Sequence, residues 1–205
     1  MVLIGANGVG KSSVLDAVTL LSASAAGQMN ATLSGLGGIV DVSTRGQESA
    51  LELEAHMTCP GDFPPLDYHL RIEAKGQGYA IPYEALTQTR DVHYAQPFKH
   101  IESHLDDIRY FDTDEKGLVR PNWEHNPLES SLSQVPKMFR EPEELRQTLS
   151  SATAYHVLDV GPRAPVKLPQ QMKPASLPGA DGEDLVPFLY NLRETDQDRF
   201  EAVQD

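Results

Sequence analysis

Residues Gly5-Ala6-Asn7-Gly8-Val9-Gly10-Lys11-Ser12 fit the pattern G-x-x-x-x-G-K-[ST] at every fixed position, and no other stretch restricts the fold so tightly. The glycines permit backbone turns that aim successive N–H groups into a concave anion site. A helix beginning at the end of the loop adds its positive N-terminal pole to the same spot. Lys11 then reaches the β- and γ-phosphates of a nucleotide, and the Ser12 hydroxyl ligates Mg²⁺. Val2-Leu3-Ile4 reads as a short buried strand and Ser12 to Leu21 as a helix. Val14, Ala17, Val18 and Leu21 fall on one face of that helix. The expected phosphate-contacting set is Gly5, Asn7, Gly8, Val9, Gly10, Lys11, Ser12 and Ser13, with ATP and Mg²⁺ as cofactors.

Composition narrows what surrounds this loop. A chain of 205 residues with 40% hydrophobic content can bury one sizeable core. Cys59 is the single cysteine, which excludes a disulfide framework and fits a reducing cytoplasm. No apolar run approaches the roughly 20 residues that span a bilayer, so no membrane contact is expected. Lys11 and Asp16 interrupt the small, apolar N-terminus, and no basic stretch precedes it, which argues against a signal peptide. A net charge of −13 opposes a broad electrostatic grip on nucleic acid. ATP, itself an anion, must therefore be held by local geometry.

Three regions follow along the chain: residues 1–35 with the loop and first helix, 36–121 rich in strands, and 122–205 largely helical. Leu51, Leu53, Ala55 and Met57 alternate with Glu52, Glu54 and His56; Leu66, Tyr68, Leu70 and Ile72 alternate with Asp67, His69, Arg71 and Glu73. Both are half-buried strand patterns. Tyr79, Ile81 and Tyr83 suggest a third strand, with Pro82 favouring a sheet edge. Pro142-Glu143-Glu144 opens a helix whose buried face holds Leu145 and Leu149. Tyr155 to Val160 reads as a strand. Five prolines between Pro162 and Pro178 predict an extended connector. Leu185, Phe188, Leu189 and Leu192 form a further helical stripe capped by Asp184, and Thr195 with Asp198 has the spacing of a capping box.

The loop and the run Gly10-Lys11-Ser12-Ser13-Val14-Leu15-Asp16-Ala17 resemble ABC-type ATPase heads of the RecF and SMC branch. Other segments resemble the bacterial AAA-type ATPases related to the OLD-family nucleases. These are Gly37 to Val42 with Arg45-Gly46, Glu129 to Gln134, Arg163-Ala164-Pro165, and Asp181 to Leu185 with Tyr190 to Arg193. Pro187 departs from them, since a small helix former is more usual there. The resemblance implies an α/β P-loop NTPase with parallel core strands and an inserted antiparallel β-rich lobe. It further implies an incomplete, N-terminal half of an ATP-hydrolysing head, which pairs head-to-head in a homodimer and acts on DNA or with a nuclease partner.

Hydrolysis on such a scaffold needs an acid at the end of a second apolar strand, followed by a glutamate that polarises water. Asp159 in Tyr155-His156-Val157-Leu158-Asp159 comes nearest, but His156 interrupts the run and Val160 replaces the glutamate. Ile39-Val40-Asp41 and Tyr110-Phe111-Asp112 are shorter. Leu33-Ser34-Gly35-Leu36-Gly37 has the look of a signature loop but reads as a flexible connector. Gln134 is the candidate catalytic residue, as a glutamine between lobes that touches Mg²⁺ and water; the competing reading is an ordinary loop glutamine. His100 and His104 would share one face of a helix and could ligate zinc, yet Glu102 is misplaced for a metalloprotease pattern, and a solvated polar helix is expected. No G-x-S-x-G elbow occurs. A small-molecule kinase would need an Arg-rich lid, and a GTPase an Asn-Lys-x-Asp segment; neither is visible. A non-catalytic nucleotide-binding module is the main alternative.

Overall fold

The computed structural model describes residues 10–43, 50–58, 64–89, 96–137, 140–152, 160–179 and 182–204. The chain divides into two compact units, Met1–Ala152 and Thr153–Asp205.

The first unit packs helices against one face of an antiparallel sheet. Helix α1 (Lys11–Ala26) starts after Gly10, whose φ of 87° is a left-handed conformation suited to glycine. It runs five residues beyond Leu21 and stops at Gly27, also left-handed at φ 69°, whose N–H returns to the Ala23 carbonyl. Leu20, Ala23, Ser24 and Ala25 are buried and Ala17 and Leu21 are half-buried against the core, while Val14 is 43% exposed. The sequence Thr19 to Ala26 is small and apolar nearly all round, so spacing alone did not fix the face.

Helix α2 (Met29–Gly35) and the short helix α3 (Ile39–Val42) come next. They correct two expectations. Leu33 to Gly35 belong to a helix with Leu33 1% exposed rather than to a flexible connector. Ile39-Val40-Asp41 is a helical turn with Asp41 exposed, not a strand presenting an acid. Gly37 and Gly38, at φ 90° and 89°, reverse the chain between them.

Six strands then follow in sequence order, each antiparallel to its neighbours: β1 (Ala50–Met57), β2 (Leu66–Lys75), β3 (Gly78–Gln88), β4 (Phe98–His104), β5 (Asp107–Asp112) and β6 (Gly117–Val119). The alternation of β1 and β2 holds: Leu53, Leu66, Tyr68, Leu70 and Ile72 are buried in one core with Leu20, Met29, Leu33 and Leu132.

Pro82 does not mark an edge. β3 pairs on both sides, and Pro82 falls in a bulge where Arg71 opposes Tyr83 but Glu73 opposes Ala80. The extra residue absorbs the missing N–H, and the Pro82 carbonyl still accepts from Leu105 N at 3.2 Å. It also resets the alternation. Ile81 faces the core before the bulge, and Glu84, Leu86 and Gln88 after it.

β4 is likewise a strand where a polar helix was expected. His100 is buried beside Gln88, and His104 is exposed with its ring 5.1 Å from Tyr83, so the two imidazoles are not paired toward one ion. Among the described residues, no group of three or more His, Cys, Asp or Glu could hold a metal. Asp112 ends β5 in a turn, its carboxylate accepting from Asp114 N at 2.8 Å and Glu115 N at 3.0 Å. It is a turn former rather than the acid of a nucleotide site. Helix α4 (Ser131–Gln134) and helix α5 (Arg140–Ser150) complete the unit, with α5 packed along α1.

In the second unit the proline-rich stretch is anchored rather than free. After a 3₁₀ turn at Pro165–Lys167, Gln170 Nε2 donates to the Pro165 and Gly182 carbonyls. Its Oε1 accepts from Val186 N in the first turn of helix α6 (Leu185–Thr195). Asp184 holds the cap position but makes no side-chain cap bond; its carboxylate pairs with Lys173 at 2.9 Å. Helix α7 (Gln197–Gln204) is capped by Asp196, whose Oδ1 accepts from Arg199 N. Thr195 instead bonds back to Asn191 O as the last residue of α6. No helix among the described residues is long and apolar enough to cross a membrane.

Candidate functional site

The N-terminal end of α1 is where the phosphate pattern meets described structure. Gly5, Asn7, Gly8 and Val9 lie outside the described residues, as does the Lys11 side chain. Gly10 turns the chain into the helix, its carbonyl accepting from Val14 N at 3.3 Å. Lys11 opens the helix, and Ser12 and Ser13 are exposed in its first turn. First-turn N–H groups have no intrahelical partner, and no acidic residue occupies that turn. The helix pole thus presents positive potential with no carboxylate on its own first turn to cancel it.

Helix α1 is anchored at its other end. With 16 residues it is about 24 Å long, so its C-terminal turn is remote from the loop. There Ser130 Oγ donates to Ser24 O at 2.9 Å, and Ser133 lies against Gly27. The Glu129 carboxylate accepts from Met29 N at 2.8 Å and Asn30 N at 3.3 Å, capping α2.

Gln134 belongs to this remote junction. Its Oε1 accepts from Asn126 N at 2.7 Å, while Nε2 donates to the carbonyls of Asn126, Glu129 and Ser130. The amide closes the loop that precedes α4, and the structure does not bring it to the N-terminal end of α1. Asp159 lies outside the described residues.

Sequence reasoning missed two buried charges that hold the junction. Glu84, fully buried on β3, accepts from Ser131 N at 2.6 Å, Leu132 N at 2.9 Å and Tyr68 Oη at 3.0 Å. Burial pushes its carboxyl up, and the two backbone N–H donors only partly oppose that. Arg146 on α5, 6% exposed, donates to Leu132 O at 2.8 Å, Val135 O at 2.9 Å and Glu143 Oε2 at 2.5 Å. Burial lowers its pKa against the pull of Glu143. An acid at the N-terminus of α4 and a guanidinium at its C-terminus complement the helix dipole. The available signal was Pro82, whose bulge turns Glu84 inward.

A glycine-turned helix pole carrying Lys-Ser is the described part of the phosphate pattern, and the family match makes this a P-loop ATPase-type domain. The family model described as "AAA domain, putative AbiEii toxin, Type IV TA system" matches residues 1–205, and the chain belongs to that family. No curated protein and no solved structure matches. Membership supports nucleotide binding as the domain's business. The sheet is antiparallel throughout, and the parallel core strands expected beside α1 are not among the described residues.

Proposed function

We propose that the chain binds Mg·ATP at the N-terminal end of α1, through Gly5, Asn7, Gly8, Val9, Gly10, Lys11, Ser12 and Ser13, with Ser12 ligating the metal. The observation that carries this reading is the left-handed Gly10 delivering Lys11 into an exposed helix pole. Lys11 neutralises the β- and γ-phosphates, and helix N–H groups solvate them. In the RecF, SMC and OLD-like branch, two such heads close around nucleotide and pass that closure to DNA or to a nuclease. The same role is our proposal for the protein that carries this domain.

A non-catalytic nucleotide-binding module is the second reading. It is favoured by Asp41 and Asp112, which lie in a helical turn and a β-turn respectively, neither at the end of a second buried strand. Phosphate contacts of the ground state do not by themselves accelerate transfer.

Calorimetric titration with Mg·ATP tests the binding claim. Lys11→Ala loses most affinity while its circular dichroism matches the parent, and Ser12→Ala loses Mg²⁺ dependence. Unchanged affinity in a folded Lys11→Ala protein removes the proposal. Phosphate release by the chain alone stays far below about one turnover per second, the low end for ordinary enzymes. A higher rate that vanishes with Lys11→Ala would replace the non-catalytic reading.

A further inference from the structure

Resting on that nucleotide reading, we infer that Glu84 and Arg146 are positioning residues for the phosphate site, acting on α1 from its far end. The N-terminal turn of α1 is exposed at Ser12, Ser13 and Val14, whereas Leu20, Ala23, Ser24 and Ala25 are buried. The helix is thus held chiefly by its C-terminal half, and whatever fixes that half fixes where Lys11 sits. Segment 129–134 does the fixing, residue by residue. Glu129 caps α2, Ser130 takes the Ser24 carbonyl, and Ser131 Oγ donates to Ser103 Oγ on β4 at 2.8 Å. Leu132 is fully buried, Ser133 meets Gly27, and Gln134 locks the preceding loop.

The segment is itself held between two buried ionisable side chains on separate elements. Glu84 ties its N-terminal N–H groups to β3, with Tyr68 of β2 as a third donor. Arg146 ties the carbonyls of Leu132 and of Val135, the residue after the segment, to α5, which packs along α1. Buried charges tolerate few alternative arrangements, because each lost partner leaves an uncompensated group in low dielectric. One geometry of α4, and with it one placement of α1 on the sheet, satisfies all of them. A neutral glutamine at position 84 would turn an N–H₂ toward a backbone donor. Lysine at 146 could not reach both carbonyls and Glu143 with a planar fork. Both changes leave the phosphate loop itself untouched.

The test uses the full chain with Glu84→Gln and Arg146→Lys. The control is Phe111→Ala, a change on β5 whose ring packs edge-on against Phe98, outside the core cluster that holds Leu20 and Leu132. Mg·ATP affinity is measured calorimetrically at a temperature where circular dichroism shows all proteins folded. Emission of Trp123, which stacks at 5.4 Å on Tyr110 of β5, is followed in the same titrations. The expected result is affinity about tenfold weaker for both clamp variants, with the control close to the parent. A change in Trp123 emission is expected on saturating the parent and is expected to be absent in the clamp variants, which a purely stabilising role would not alter. Clamp variants binding within about twofold of the parent, or losing no more than the control, overturn the inference while leaving the nucleotide site intact. A parent that binds no nucleotide overturns both, and Lys11→Ala then shows no difference from it.

Discussion

Glu84 enters the core because a proline two residues earlier shifts the strand by one position. Its carboxylate is pushed up by burial, so its pH signature runs opposite to that of an ordinary salt-bridged acid. A group whose folded pKa exceeds its unfolded value binds protons more tightly when folded. Its contribution is fully present below the unfolded value, about 4.3, and is lost as pH rises through the higher folded value. Stability measured by urea titration should therefore fall across that window in the parent and stay flatter in a folded Glu84→Gln variant. Asp107 runs the other way. Hydrogen bonds from Arg109, then Arg120, hold it down to about 2. Its stabilisation is present above the unfolded carboxylate pKa, about 3.9, and disappears as pH falls toward 2. In Asp107→Asn the acid limb of the stability profile should lose that component.

Helix α1 depends on how it is stopped as much as on how it begins. Gly27 takes the left-handed conformation that lets its N–H return to Ala23 and turns the chain directly into α2. An added Cβ would meet Ser133 at an ordinary 3.5 Å, so backbone strain rather than crowding sets the cost. Gly27→Ala is expected to lose about 1 kcal/mol in thermal or chemical unfolding. A loss well above that would mean that Ser133 cannot yield. The same element shows the limit of pattern reading. The stripe of Val14, Ala17, Val18 and Leu21 located a helix but only part of its buried face: Ala17 and Leu21 pack against the core, Val14 is exposed, and Leu20 and Ser24 are buried beside them. In the second unit Pro187 sits within the first turn of α6, where a missing N–H costs nothing.

The division at residue 152 gives a prediction for the molecule. A chain ending at Ala152 retains the whole sheet, α1 to α5 and the Glu84–Arg146 clamp. It should unfold in one cooperative transition with the sheet's circular dichroism intact, and stepwise melting of that truncated chain would contradict it. Sequence by itself determined what depends on neighbours along the chain. The phosphate pattern with its helix, the period-two strands at Leu51–Met57 and Leu66–Ile72, and the helices at Pro142 and Leu185 all express local spacing or local capping. Tertiary structure alone decided what depends on distant partners. β4 carries two histidines and no clear alternation, and becomes a strand because β3 and β5 offer ladders on both sides. Pro82 sits inside the sheet because a bulge opposite Ile72 can take it. Glu84, Arg146 and segment 129–134 are separated by up to 62 positions along the chain, yet they meet in one buried site. A buried charge is tolerable only when every partner arrives, and no local pattern announces partners that the fold brings from elsewhere.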